Sequence, residues 1–151
     1  MVANYKIVSI EGNIGSGKST LLENLRKQYE TNTSVIFLRE PVDDWEKIKD
    51  KQDNTMLKKF YDNQEKYAFA FQMMAYISRL KILRDTIKEI KKTNNPEEKF
   101  IIITERSLYT DKHVFAKMLY DQGKIEDVCY QIYLNWFDEF VKDYDIKYTI
   151  Y

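Results

Sequence analysis

Residues Gly12-Asn13-Ile14-Gly15-Ser16-Gly17-Lys18-Ser19 follow directly on the apolar run Ile7-Val8-Ser9-Ile10. Glycines spaced ahead of a Lys-Ser pair, between a β-branched run and an amphipathic stretch, form a complete phosphate-binding P-loop in the strand, loop, helix setting that the motif requires. Glycine lets the backbone fold around an oxyanion, so that successive N–H groups and the start of the next helix point at phosphate. Gly12, Asn13, Ile14, Gly15, Ser16, Gly17, Lys18, Ser19 and Thr20 are therefore the candidate nucleotide-binding residues. Lys18 is placed to reach the β- and γ-phosphates, and the Ser19 hydroxyl to reach Mg²⁺. A nucleoside triphosphate is the first ligand to consider.

The rest of the chain bounds this reading. At 151 residues, a single domain over 1–151 is expected. Lys and Arg number 24, as do Asp and Glu, so no global basic field favours a nucleic-acid polymer or a membrane surface. The single cysteine, Cys129, cannot form an internal disulfide and fits a reducing compartment. Met1 leads almost at once into the first apolar run, with no signal peptide, Arg-rich transit segment or long apolar span. The expectation is a cytoplasmic protein.

Four short runs, Lys6 to Ile10, Ser34 to Leu38, Phe100 to Thr104 and Lys147 to Tyr151, read as strands buried on both faces of a parallel sheet. Between them lie helical patterns. The longest covers about Tyr67 to Lys92, with Ala70, Met74, Ile77, Leu80, Ile87 and Ile90 at helical spacing, and another covers about Ile125 to Lys142. Residues 93–98 read as a surface turn, and the charged stretch from Trp45 to Lys59 as a solvated helical face. The fold class is α/β: a P-loop nucleoside triphosphate hydrolase-type, doubly wound parallel sheet with helices on both faces and right-handed crossovers. Tyr148-Thr149-Ile150-Tyr151 reads as an inner strand with no polar loop or helix behind it, so a truncated chain is expected.

In open α/β sheets, ligands bind beyond the carboxyl ends of the strands. The first strand runs into the P-loop, the second into Arg39-Glu40-Pro41-Val42 and the third into Thr104-Glu105-Arg106-Ser107. If the strands lie side by side, two carboxylates and an arginine converge beside the phosphates. That is the inventory of phosphoryl transfer: a base for the acceptor hydroxyl, a metal-side acid and a cation for developing charge. A local salt bridge between neighbouring charges is the competing reading of Glu105 and Arg106.

The P-loop through Thr20, Glu40-Pro41-Val42 with Trp45, Phe71-Gln72 with Arg79, and Glu105-Arg106-Ser107 with Asp111 and Phe115 together resemble, in order and spacing, the successive motifs of the deoxynucleoside kinase family. The resemblance implies ATP and Mg²⁺ as cofactors and a small deoxynucleoside as acceptor. It makes Glu40 the base that takes the proton of the nucleoside 5′-hydroxyl. It sets Arg106 near that hydroxyl and the transferred phosphoryl, Lys18 on the phosphates, and Glu105 with Ser19 on the metal side.

By the same resemblance Gln72 reads the base edge through its two-faced amide, against the alternative of a polar residue on a wet helix face. Val42, Trp45, Leu57, Phe71 and Phe115 match pocket-lining positions, where plain core packing is the competing reading. Tyr61 corresponds to the residue that holds the sugar 3′-hydroxyl. In the family an Arg79/Asp111 pair with a small residue at Ala75 goes with deoxycytidine and purine deoxynucleosides rather than thymidine. The resemblance also implies a homodimer built through the two long helices.

Family members carry a further strand and an arginine-rich lid beyond the fourth strand, neither of which this sequence contains. Two other readings stay open: a nucleoside monophosphate kinase of the thymidylate type, and a lidless remnant that binds nucleotide without turnover. A GTP-dependent switch would need Asn-Lys-x-Asp and Asp-x-x-Gly motifs, and the sequence has neither.

Overall fold

Short β-branched runs flanked by polar residues pair side by side because their hydrogen-bonding edges find partners only in one another. In the computed structural model, which describes residues 4–93 and 97–151, they make a four-stranded parallel sheet. The strands are β1 (Asn4–Ile10), β2 (Val35–Leu38), β3 (Lys99–Glu105) and β4 (Ile146–Ile150), in the order β2-β3-β1-β4. Each lies within a residue or two of its predicted run. Asn4 pairs with Lys99 and the register runs unbroken to Ile10 opposite Glu105. The β1–β4 pairing shifts between Ile7 and Val8. The helices are α1 (Lys18–Gln28), α2 (Val42–Glu46), α3 (Met56–Asp62), α4 (Gln64–Lys92), α5 (Leu108–Thr110), α6 (Lys117–Asp121) and α7 (Asp127–Val141), with a π-helix over Asp111–Ala116 between α5 and α6. This is the α/β architecture expected from the sequence. The predicted turn at 93–98 falls in part on 94–96, outside the described residues.

The chain divides into two compact units. The first comprises Met1–Glu40, Lys81–Ser107 and Asp145–Tyr151; the second comprises Pro41–Leu80 and Leu108–Tyr144. In the first, alternate strand residues choose the two faces of the sheet. Ile10 and Ile103 are buried with Leu22 of α1, and Val8, Val35, Phe37 and Leu25 pack against them. Ile7, Phe100 and Ile102 have the opposite parity and are also buried. Right-handed crossovers place the β1-to-β2 and β2-to-β3 connections on opposite faces. The second of these ends in the later turns of α4, where Leu83, Ile87 and Ile90 are buried.

In the second unit, Phe60, Ala68, Leu119 and Ile125 form a core against which Phe71, Cys129 and Tyr130 pack. Tyr76 and Tyr133, both buried, sit edge to face with ring centroids 5.8 Å apart. The Tyr76 hydroxyl donates to the carbonyls of Trp136 and Phe137, each at 3.3 Å, clipping α4 to α7. Burial raises both phenols well above the ordinary tyrosine range.

Two local expectations need correction. The stretch from Trp45 to Lys59 is not one helical face. Trp45 lies in α2, a turn closed by the bridge between Lys49 and Thr55 follows, and α3 begins only where Thr55 caps it by accepting from the Lys58 N–H at 3.1 Å. Asp50 orders that turn, accepting from the N–H groups of Gln52 and Asn54 and from Lys59. The early part of α4 also buries a different face from the predicted one. Ala68, Gln72, Ala75 and Tyr76 are buried while Ile77 is 53% exposed. The helix is apolar nearly all round there, so small residues and tertiary contacts, not hydropathy, choose the face.

Truncating Leu22 to alanine removes the α1 side chain that meets Ile10 and Ile103. A loss of about 2–5 kcal/mol is expected, read as a lowered midpoint of urea unfolding with an unchanged slope.

Candidate active site in two parts

In the first unit the loop between β1 and α1 is shaped by close approach. Gly12 has φ +141°, and a Cβ there would stand 2.7 Å from the Ser16 Oγ. Gly17, in the left-handed region at φ 88°, turns the chain into α1, whose first turn carries no acidic residue and whose last turn carries Arg26 and Lys27. The positive end of that helix is thus left for an anion. Asn13, Ile14, Gly15, Ser16, Ser19 and Thr20 are exposed along the loop and first turn. Lys18 is buried, and its ammonium group donates to the Asn13 carbonyl at 2.5 Å and to the Ser16 Oγ at 3.4 Å.

The pairing of Ile10 with Glu105 delivers the rest. The Ser19 hydroxyl donates to the Glu105 carboxylate at 2.6 Å. Arg106 turns away from the strand with φ +62°, a conformation that costs a side chain of this kind and is found where a site fixes its direction. Its own N–H donates to the Ile10 carbonyl at 2.9 Å. Its guanidinium lies 3.4 Å from both Glu40 carboxylate oxygens. Adjacent in sequence, Glu105 and Arg106 therefore face different partners. Burial, and then the charge of Arg106, lowers the Lys18 ammonium below its usual pKa, while Glu105, Glu40 and Glu11 act in the opposite direction. Glu11 is buried and was not singled out in the sequence. Its place right after β1 was the available signal, the same strand-end position that marks Glu105.

These residues fit a magnesium nucleotide. The cradle at Gly12 excludes any side chain, and the hydroxyl and carboxylate of Ser19 and Glu105 are hard oxygen donors. Mg²⁺ is commonly bound by one or two protein groups together with substrate phosphates.

In the second unit the aromatic residues form a connected wall. The rings of Phe60 and Phe71 stack with centroids 4.3 Å apart, and Trp45 meets Phe71 edge to face at 5.6 Å. Gln72 is buried, not on a wet face, and its amide nitrogen donates to the Asp111 carbonyl at 3.3 Å. Arg79 Nε lies 3.2 and 3.0 Å from the two carboxylate oxygens of Asp111, with both side chains buried. The Arg79 guanidinium carbon stands 5.9 Å from the centre of the Trp45 ring. Asp111 opens the π-helix, a wound-out turn found disproportionately at functional sites. Val42, Leu57 and Phe115 are half-buried in the same unit. Tyr61 is 71% exposed, with a tilted ring contact to Phe60 at 5.5 Å.

A sequence model described as deoxynucleoside kinase matches residues 8–151. The chain is 33% identical over 150 residues to a probable deoxycytidine kinase of fowlpox virus, covering 97% of this chain and 54% of that protein. It is 32% identical over 145 residues to the human deoxycytidine kinase, covering 88% of this chain and 54% of that protein. The chain thus spans about half the length of the curated relatives it matches.

Replacing Arg79 with alanine leaves the Asp111 carboxylate buried without its counter-ion. A destabilisation of about 3–5 kcal/mol is expected, measurable by denaturant unfolding. Replacing both members by apolar residues of similar volume costs less.

Proposed function

Because the chain belongs to the deoxynucleoside kinase family, we propose that it transfers the γ-phosphoryl group of ATP to the 5′-hydroxyl of a deoxynucleoside. The observation that carries this reading is the pairing of Arg106 with Glu40 at one strand end while Glu105 takes Ser19 at the next. A base, a cation and a metal-side acid are thereby sorted onto separate partners around Lys18.

In this reading Glu40 accepts the proton of the 5′-hydroxyl as that oxygen bonds to the γ-phosphorus and the bond to the β-phosphate oxygen breaks. The products are a nucleoside 5′-monophosphate and ADP, with the proton left on Glu40. Arg106 holds the Glu40 carboxylate and supplies positive charge to the transferred group. Lys18 exchanges the Asn13 carbonyl for phosphate oxygens, which are the stronger acceptors for an ammonium group. Ser19 and Glu105 would hold a magnesium ion, which would neutralise phosphate charge. Gln72 reads the base, Trp45, Phe71, Val42, Leu57 and Phe115 line its pocket, and Tyr61 contacts the sugar.

The Arg79–Asp111 pair supports a preference for deoxycytidine, deoxyadenosine or deoxyguanosine over thymidine, because a guanidinium fixed on a carboxylate occupies space that a thymine methyl requires. We also propose a homodimer. Val128, Ile132, Trp136 and Phe140 are exposed at four-residue intervals along α7, and Trp136 stacks on Phe140 with centroids 5.6 Å apart. A continuous apolar stripe of this kind favours a self-complementary contact.

A phosphate-transfer assay across the four deoxynucleosides tests the reaction. Glu40→Gln is expected to lower turnover by about 10²–10⁴-fold while nucleoside affinity holds; unaltered turnover removes the base from the mechanism. Thymidine phosphorylated as well as the other three overturns the preference, and phosphorylation of a monophosphate in place of a nucleoside overturns the acceptor. Trp136→Glu is expected to convert a dimer to a monomer in sedimentation velocity. A wild-type monomer refutes the dimer.

A further inference from the structure

Trp45 is only 5% exposed, so its indole N–H needs a partner inside the protein. It donates to the Ser78 hydroxyl at 2.8 Å. That hydroxyl in turn donates to the Ala75 carbonyl one turn back along α4 at 3.0 Å, the local back-bond that a helical serine makes. The bond to Ala75 uses the only proton of the hydroxyl and aims its lone pairs outward, so Ser78 is set as an acceptor. The next residue, Arg79, stands over the face of the same indole while its Nε contacts Asp111. One turn of α4 therefore grips Trp45 at its polar edge and at its face, and the indole also meets Phe71 edge to face.

We propose that Ser78 is a positioning residue for the nucleoside pocket, fixing the Trp45 indole so that the aromatic wall and the Arg79–Asp111 pair keep one arrangement. The inference rests on the reading of Trp45 as a pocket wall. Ser78 touches no substrate in this scheme and acts through Trp45. Its loss leaves a buried indole N–H without an acceptor, and the ring escapes that penalty by rotating or by exposing its edge. The phosphate loop lies in the other compact unit.

The test is titration of the full chain with deoxycytidine, deoxyadenosine and deoxyguanosine in turn, and separately with ATP, alongside the melting temperature of each variant. Ser78→Ala is expected to weaken deoxynucleoside binding about fivefold or more with ATP affinity unchanged, and Ser78→Thr, which keeps the acceptor, to restore it. In a Trp45→Phe background, which has no N–H to hold, Ser78→Ala adds no further loss. The proposal is overturned if Ser78→Ala binds deoxynucleoside like the wild type while Trp45→Ala does not, or if both ligands weaken together with a fall in melting temperature and threonine fails to rescue. A wild-type chain that binds ATP but no deoxynucleoside refutes the functional reading itself. A Trp45→Ala chain with wild-type nucleoside affinity refutes the pocket role of Trp45. Either result takes the assignment of Ser78 with it.

Discussion

The parallel pairing of β1 with β3, in register from Asn4 opposite Lys99 to Ile10 opposite Glu105, is the constraint on which the phosphate side of the protein depends. It ends both strands at one level, so that the loop after Ile10 and the charged pair after Thr104 emerge together. Arg106 extends the ladder by one more bond to the Ile10 carbonyl before its backbone turns left-handed. A slip of one residue would exchange the two faces of the strand, turning Glu105 off the face that Ile103 presents to α1 and so removing it from Ser19. With Ile10 and Ile103 on one face and Ile7 and Ile102 on the other, the same pairing builds the core on both sides of the sheet. Fold and site are therefore specified by one register.

What the sequence disclosed follows from this. Strand ends are legible because a run of β-branched residues stops where the charge begins, and Glu40, Glu105, Arg106 and the P-loop all sit at such stops. Helix phase is less legible. The early turns of α4 are apolar on most sides, so the position of Gln72 could not be read from periodicity, and the buried face fell on Ala68, Ala75 and Tyr76 instead of the line through Ile77. Small residues define that face by permitting close approach, which a hydropathy pattern does not record. The π-helix at Asp111–Ala116 has no sequence signature in propensity. Ser78 is likewise silent, since a serine inside a helix declares its role only through the partner that tertiary structure brings to it.

The second unit buries polar and charged groups beside its aromatic core. Gln72, Asp111 and Arg79 are withdrawn from water among aromatic rings. A buried ion pair commonly contributes less than apolar residues of the same volume would. Such groups are costly to keep and costly to break singly, so each holds its partner in one geometry. The Tyr133 hydroxyl, buried in the same neighbourhood, adds to that cost.

The electrostatics of the first unit lead to the same division of labour. Lys18 is influenced by three carboxylates, Glu11, Glu40 and Glu105, and by one guanidinium, Arg106. Burial and Arg106 together disfavour its charge, and the carboxylates counter them. Phosphate brought to the loop adds negative charge beside a buried ammonium group whose own pKa is depressed, and so relieves the strain that burial imposes. The same added charge is unfavourable to Glu40 and Glu105 unless each keeps a cationic or hydroxylic partner, as Glu40 does in Arg106 and Glu105 in Ser19. A site that receives more anion must therefore hold its carboxylates by directed bonds rather than by net charge: Glu105 accepts from Ser19 at 2.6 Å, and both oxygens of Glu40 lie 3.4 Å from the Arg106 guanidinium. Arg106, which holds Glu40 in place, also brings positive charge to the point where the proposed transfer would build up negative charge.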